Sequence, residues 1–371
     1  MWGTTIETSG EKAMKVRYFL IALALGLSGA RGQEQSKAEV AKSAIIEAFN
    51  SHSIVMLGEL HANKQEYELL KGLVTSQDFV EKVDDLVLEY GNALYQDIVD
   101  RYIAGEDVPT DSVQRAWRNT TAIGAPSPIY GWLYEAVREA NRKRTRKLRI
   151  VLGDVYVNWN RVKDREALGP FVANRDPFYA SVVREQVITR HHRALLVAGY
   201  PHFLRSSAGP NVIERELRAA GATTFVIVPG TNTVGGYDDL DKRFDSWKSP
   251  SIVLLKGNWV GQLPALPSIS GGTIPVPPGD KLTLEGAADA FLYLGPRDSL
   301  TQLHTTRAEL QGTAYGIEIA RRLEIMFGRR ADFVSTQKET PEFSRNSGPP
   351  PPLPPPPKSI HDPLPPKPPV D

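Results

Sequence analysis

A succession of short, uninterrupted apolar runs marks the chain: "SIVML" (53–57), "DLVLEY" (85–90), "LRIVLGD" (148–154), "ALLVAG" (194–199), "TTFVIVPG" (223–230), "SIVLLKG" (251–257) and "ADAFLYLG" (288–295). A strand that is apolar at consecutive positions, not alternate ones, has to be covered on both faces. Between the runs lie stretches with helical spacing: "KQEYELLKGLV" (64–74), "ALYQDIVDRYIAGE" (93–106), "SPIYGWLYEAVREANRK" (127–143), "DPFYASVVREQVITRHH" (176–192), "NVIERELRAAG" (211–221) and "TTRAELQGTAYGIEIARRLEIMF" (305–327). Pro177 suits the first turn of its helix, and Gly105 a helix stop. Strands alternating with helices predict an α/β fold, a mainly parallel sheet flanked by helices on both faces, over residues 38–335. The Gly- and Pro-rich stretch 258–287 reads as a long loop or flap.

Both ends read as something other than fold. Lys15 and Arg17 precede the apolar run "YFLIALALGLSG" (18–29), which is shorter than the ~20 residues a bilayer span needs. Small residues at "ARG" (30–32) follow, so residues 1–32 are expected to be a signal peptide, with Met14 a candidate start. The mature chain is then exported, periplasmic or secreted, with no integral membrane span. Residues 342–371 form a proline-rich tail. Proline fixes φ and has no amide donor, so the tail is expected to be extended and disordered, either a solvated end or a segment that binds a partner.

Composition narrows the chemistry. The chain has no cysteine, which removes disulfides, thiolate ligands and cysteine nucleophiles. The net charge of +1 gives no electrostatic case for nucleic acid. A metal would need His, Asp or Glu.

Ligands of open parallel sheets bind beyond the carboxyl ends of the strands. There the runs end in Gly58, Glu59 and His61; in Glu89; in Gly153 and Asp154; and in Gly199 and His202. The Gly-x-x-His pattern thus occurs twice. Two such turns on neighbouring strands bring two imidazoles above one edge with Glu59 and Glu89 beside them. This cluster suits a divalent metal held by His61 and His202, or water activated without metal by a carboxylate–imidazole pair.

The segments "IVMLGELHANKQEYELLKGLV", "LVLEYGNALYQDIVDRYIAGE", "RDPFYASVV" and "LLVAGYPHFL" resemble the ChaN-like / erythromycin-esterase-like / Tiki superfamily over roughly residues 40–300. The resemblance implies that Glu59, His61, Glu89, His202, Arg175 and Asp176 line a polar cleft that activates water, in an exported hydrolase of ester, lactone or peptide bonds acting on a small-molecule or peptide substrate. Asp154 is an additional candidate acid. The alternative implied by the ChaN branch is a haem-binding envelope protein, for which Tyr90 and Tyr200 are the candidate ligands. The sequence departs from the family in lacking a lipid-attachment cysteine, in placing Tyr179 where Met is frequent, and in the close Glu59–His61 spacing. A scaffold acting through its tail is the third reading. His52 precedes the first strand and is expected far from the site. His191 and His192 are expected in a polar turn. His304 is a candidate to reach the rim.

Overall fold

The computed structural model describes residues 37–122, 126–230, 244, 247–270, 281–296, 299–327 and 364–370. The expected signal peptide and tail residues 342–363 and 371 lie outside them. No described helix is long and apolar enough to cross a membrane.

The apolar runs become β1 (Ile54–Glu59), β2 (Asp85–Asn92), β3 (Arg149–Asp154), β4 (Ala194–Gly199), β5 (Thr224–Gly230), β6 (Ser251–Leu254) and β7 (Ala290–Tyr293). They form a seven-stranded sheet in the order β3-β2-β4-β1-β5-β7-β6. All neighbours pair in parallel except β6, which runs antiparallel to β7 at the edge. The run 251–257 therefore yields a shorter, half-exposed edge strand instead of another central one.

Successive residues of the inner strands enter different cores, which is why the runs are continuous. Val55 and Leu57 of β1 join Leu86, Leu88, Leu195, Val197 and Ile227 on one face, covered by the helices Lys64–Val74 and Ile129–Arg142. Ile54 and Met56 join Val87, Leu196, Ala198 and Val226 on the other face, against the helices Arg175–Gln186 and Val212–Ala219. At about 1.5–3 kcal/mol per fully buried aliphatic side chain, these two layers hold the sheet. A third cluster packs Val155, Val157, Trp159 and Val162 against Leu168, Phe171 and Ile319 beyond the end of β3.

The stretch 258–287 departs from the expected loop. Its described residues include a 3-10 turn at Val260–Gln262 and the helices Ala265–Ser270 and Leu284–Ala287, with Val260, Ala265, Leu284 and Ala287 buried. These apolar residues are spaced too irregularly between Gly and Pro to show a helical period.

Candidate active site

The strand order places β4 between β1 and β2, and Glu59 is in register with Gly199. The two Gly-x-x-His turns are therefore neighbours, and each glycine makes room for the other turn. A Cβ on Gly58 would lie 2.9 Å from Tyr200 Cβ. A Cβ on Gly199 would lie 2.9 Å from His61 Cε1, 3.0 Å from His61 Nε2 and 3.4 Å from Glu89 Oε2. Any side chain at 199 would push His61 away from Glu89.

On one side of this lip stands Glu59, which is 1% exposed. The Tyr67 hydroxyl donates to its Oε1 at 3.2 Å, and His61 Nδ1 lies 3.5 Å from the same oxygen. The second distance is long for a hydrogen bond, and the buried His61 Nδ1 has no other partner among the described residues. The turn that aims His61 is pinned from the following helix. Asn63 caps that helix by accepting from the Glu66 amide at 2.9 Å, and buried Glu66 accepts from the Leu60 amide at 2.8 Å. Ala62, next to His61, has φ 60°, a left-handed conformation costing an L-residue roughly 1–2 kcal/mol. The His61 ring meets Tyr90 edge-on at 5.1 Å, and Tyr90 stacks on Tyr130 at 3.6 Å.

On the other side, Glu89 is the centre of a cationic knot. It pairs with Arg175 through Oε1 and with His202 Nε2 at 3.3 Å. Its Oε2 accepts from the Gly199 amide at 2.6 Å. His202 Nδ1 lies 2.6 Å from Asp176 Oδ1. Glu89 follows Leu88, where the β2–β3 register shifts before Asn92, and such an irregularity re-aims a side chain. Asp154 accepts from the Thr121 amide at 2.5 Å and the Thr121 hydroxyl at 2.7 Å, with Arg175 Nε at 3.7 Å.

The electrostatics separate the two histidines. Burial acts to lower His202, but Glu89 and Asp176 outweigh it and raise its pKa to about 10, so it is an imidazolium at neutral pH. Burial likewise opposes the net rise at His61, where Glu59 and then Glu89 prevail. Burial would raise Glu89, yet Arg175 and His202 hold it well below the usual carboxylate range. Burial raises Asp154, with Arg175 and Thr121 opposing.

The sequence candidates Glu59, His61, Glu89, Arg175 and His202 are thus brought together at one rim. Asp154 touches the cluster through Arg175 but is occupied by Thr121. Tyr67, Glu66 and Thr121 carry no local sequence signal for their roles. His192 instead pairs with Asp85 at 2.8 Å at the amino end of β2, and His52 packs on Phe225 before β1. The strap 301–305 crosses the His61 turn, with Leu303 donating to the Ala62 carbonyl at 2.8 Å. His304 lies on that strap, 3.5 Å from Gln302.

His61 and His202, where a metal was expected, do not present two open nitrogens to one ion. Both nitrogens of His202 face carboxylates, Asp176 and Glu89, and His61 Nδ1 faces Glu59, which leaves His61 Nε2 as the open nitrogen of the pair. Among the described residues, no group of three or more His, Asp or Glu is disposed to hold an ion. Tyr90, expected as a haem ligand, is 4% exposed and enclosed by Tyr130.

No protein-family model matches the chain, and no curated protein matches it. Among solved structures, a Bacillus cereus protein is 14% identical, with 73% of this chain and 96% of that one covered at a TM-score of 0.44. The type III effector HopBA1 is 12% identical, with 72% and 95% covered at a TM-score of 0.40. ChaN of Campylobacter jejuni, described with cofacial haem, is 13% identical, with 51% and 85% covered at a TM-score of 0.31. At these scores the likenesses identify neither a family nor a function.

Proposed function

We propose that this protein is an exported hydrolase in which His61 activates water and the Arg175–His202 pair stabilises the negative charge that develops on the substrate. One observation carries the proposal: the space left by Gly199, which sets the Glu59–His61 pair directly against the Glu89 knot. With its Nδ1–H turned to Glu59, His61 offers the Nε2 lone pair as general base. Water attacks the carbonyl carbon of an ester, lactone or amide, and its proton passes to Nε2. The carbonyl π pair moves onto oxygen, facing the guanidinium of Arg175 and the imidazolium of His202. Collapse of the tetrahedral adduct expels the alcohol or amine, which takes the proton back from His61. Glu89 is not the base, because it is held ionised with its oxygens engaged by Arg175, His202 and the Gly199 amide. The basic and apolar residues 15–29 support export.

The test is turnover of a p-nitrophenyl ester, an aromatic lactone and a chromogenic peptide by the purified protein and by His61→Gln. Hydrolysis of at least one class is expected, with the variant slower by about 10²–10⁴-fold and its far-UV circular dichroism unchanged. No turnover of any class, or full activity in His61→Gln, overturns the reading.

A further inference from the structure

Beyond the end of β3 an aromatic ledge stands on the third hydrophobic cluster. Tyr156, Phe178 and Tyr315 pack on that cluster from the outside, and so does Leu364 of the proline-rich segment. Tyr156 and Phe178 meet edge-on at 5.3 Å. The Tyr156 hydroxyl donates to the Pro365 carbonyl at 2.8 Å.

We propose that this ledge is a docking surface for extended proline-rich chain, and that its occupant is the protein's own segment Leu364–Val370. The chemistry is specific to proline. A proline-rich segment has few amide donors, cannot add to a sheet, and presents ring faces and bare carbonyls. A surface that reads it needs flat aromatic faces and a hydroxyl or indole donor between them. Tyr156 supplies both, Phe178 supplies a second face, and Leu364 anchors the segment in the apolar cluster. The segment is already extended, so docking orders less chain than it would in a flexible sequence. The ledge adjoins the candidate site through the backbone. Tyr156 follows Asp154 by two residues, and Phe178 lies three residues after Arg175 in the same helix. The docked segment therefore braces the two elements that hold Asp154 and Arg175, and this assignment stands independently of the hydrolytic reading.

The absence of cysteine allows a direct test on the full chain. Val172 and Val370 are exposed, at 45% and 44%, and Val172→Cys with Val370→Cys takes two nitroxide labels. Dipolar spectroscopy is expected to give one narrow distance peak. Leu364→Asp, or excess of a synthetic peptide of residues 361–371, is expected to replace that peak by a broad distribution while circular dichroism stays the same. Dilution with unlabelled chain should leave the peak intact. A broad distribution in the doubly labelled parent, a narrow peak that Leu364→Asp and the peptide both leave in place, or a peak that vanishes on dilution overturns the proposal, the last by showing that the segment docks on a second copy.

Discussion

The Glu59 carboxylate is buried and accepts from Tyr67, while His61 Nδ1 stands 3.5 Å from the same oxygen. The proton affinity of His61 is therefore set by a balance. Burial and Arg175 lower it, Glu59 and Glu89 raise it, and the raising side wins. Glu59→Gln keeps the shape and removes the largest raising influence, so the pKa of His61 is expected to fall. The sign also predicts the pH profile of hydrolysis. A base works when deprotonated, so the acid limb of the parent should lie above the ordinary imidazole value of 6.5 and move to lower pH in Glu59→Gln. Titration of the imidazole Cε1–H signal by NMR measures the shift without any substrate. An unmoved His61 signal would show that Glu59 does not set its charge. His202 came from the same sequence pattern, yet its two nitrogens face two carboxylates, and its chemistry is that of a fixed cation.

The helix Arg175–Gln186 is seated on β2 and β3 through Tyr179. Its hydroxyl donates to the Val87 carbonyl at 2.9 Å, and a Cβ on Gly153 would lie 2.4 Å from its ring. The ring is 3% exposed and cannot swing out of the way. Gly153→Ala is therefore expected to destabilise by about 1–3 kcal/mol, the usual cost of overpacking. Combined with Tyr179→Leu, which vacates the space, the two costs should sum to less than their separate values in urea titrations. Strict additivity would show that the helix seat does not depend on this contact. The strands and their terminal acids were legible because both-face burial writes itself as a continuous apolar run, and "KQEYELLKGLV" matches its helix in full. The helices Gln77–Lys82 and Thr110–Arg118 left no mark because each buries only two residues, Phe79 with Val80 and Val113 with Ala116, too few to trace an apolar period. Arg165–Ala173 was masked by Gly169 and Pro170 inside it. For the site, the residues at the strand ends were readable, but their meeting was not. That meeting depends on β4 lying between β1 and β2, an order set by long-range packing. Tyr67 reaches Glu59 only because its helix folds back over the sheet.

Across the whole molecule, the Glu89 knot ties β2, the turn after β4 and the helix Arg175–Gln186 into one unit, so its ionisation links stability to pH. His202 has its affinity raised from 6.5 to about 10, since Glu89 and Asp176 outweigh burial. A group raised on folding contributes its full share below its unfolded pKa and loses that share as pH climbs through the folded value. The His202 contribution is thus complete below about pH 6.5 and gone above about pH 10. Glu89 works in the opposite sense. Its affinity is lowered on folding, so its contribution is present above the ordinary 4.5 and lost as acid protonates it. The joint contribution of these two groups is largest between about pH 4.5 and pH 6.5. At roughly 1.4 kcal/mol for each tenfold change in proton affinity, the His202 share is on the order of a few kcal/mol. His202→Asn should therefore be much less stable than the parent in urea at pH 6, and the gap should close as the pH approaches 10. A gap that stays constant from pH 6 to pH 10 would mean that His202 acts by packing alone, and that its charge neither holds the knot together nor stands ready beside His61.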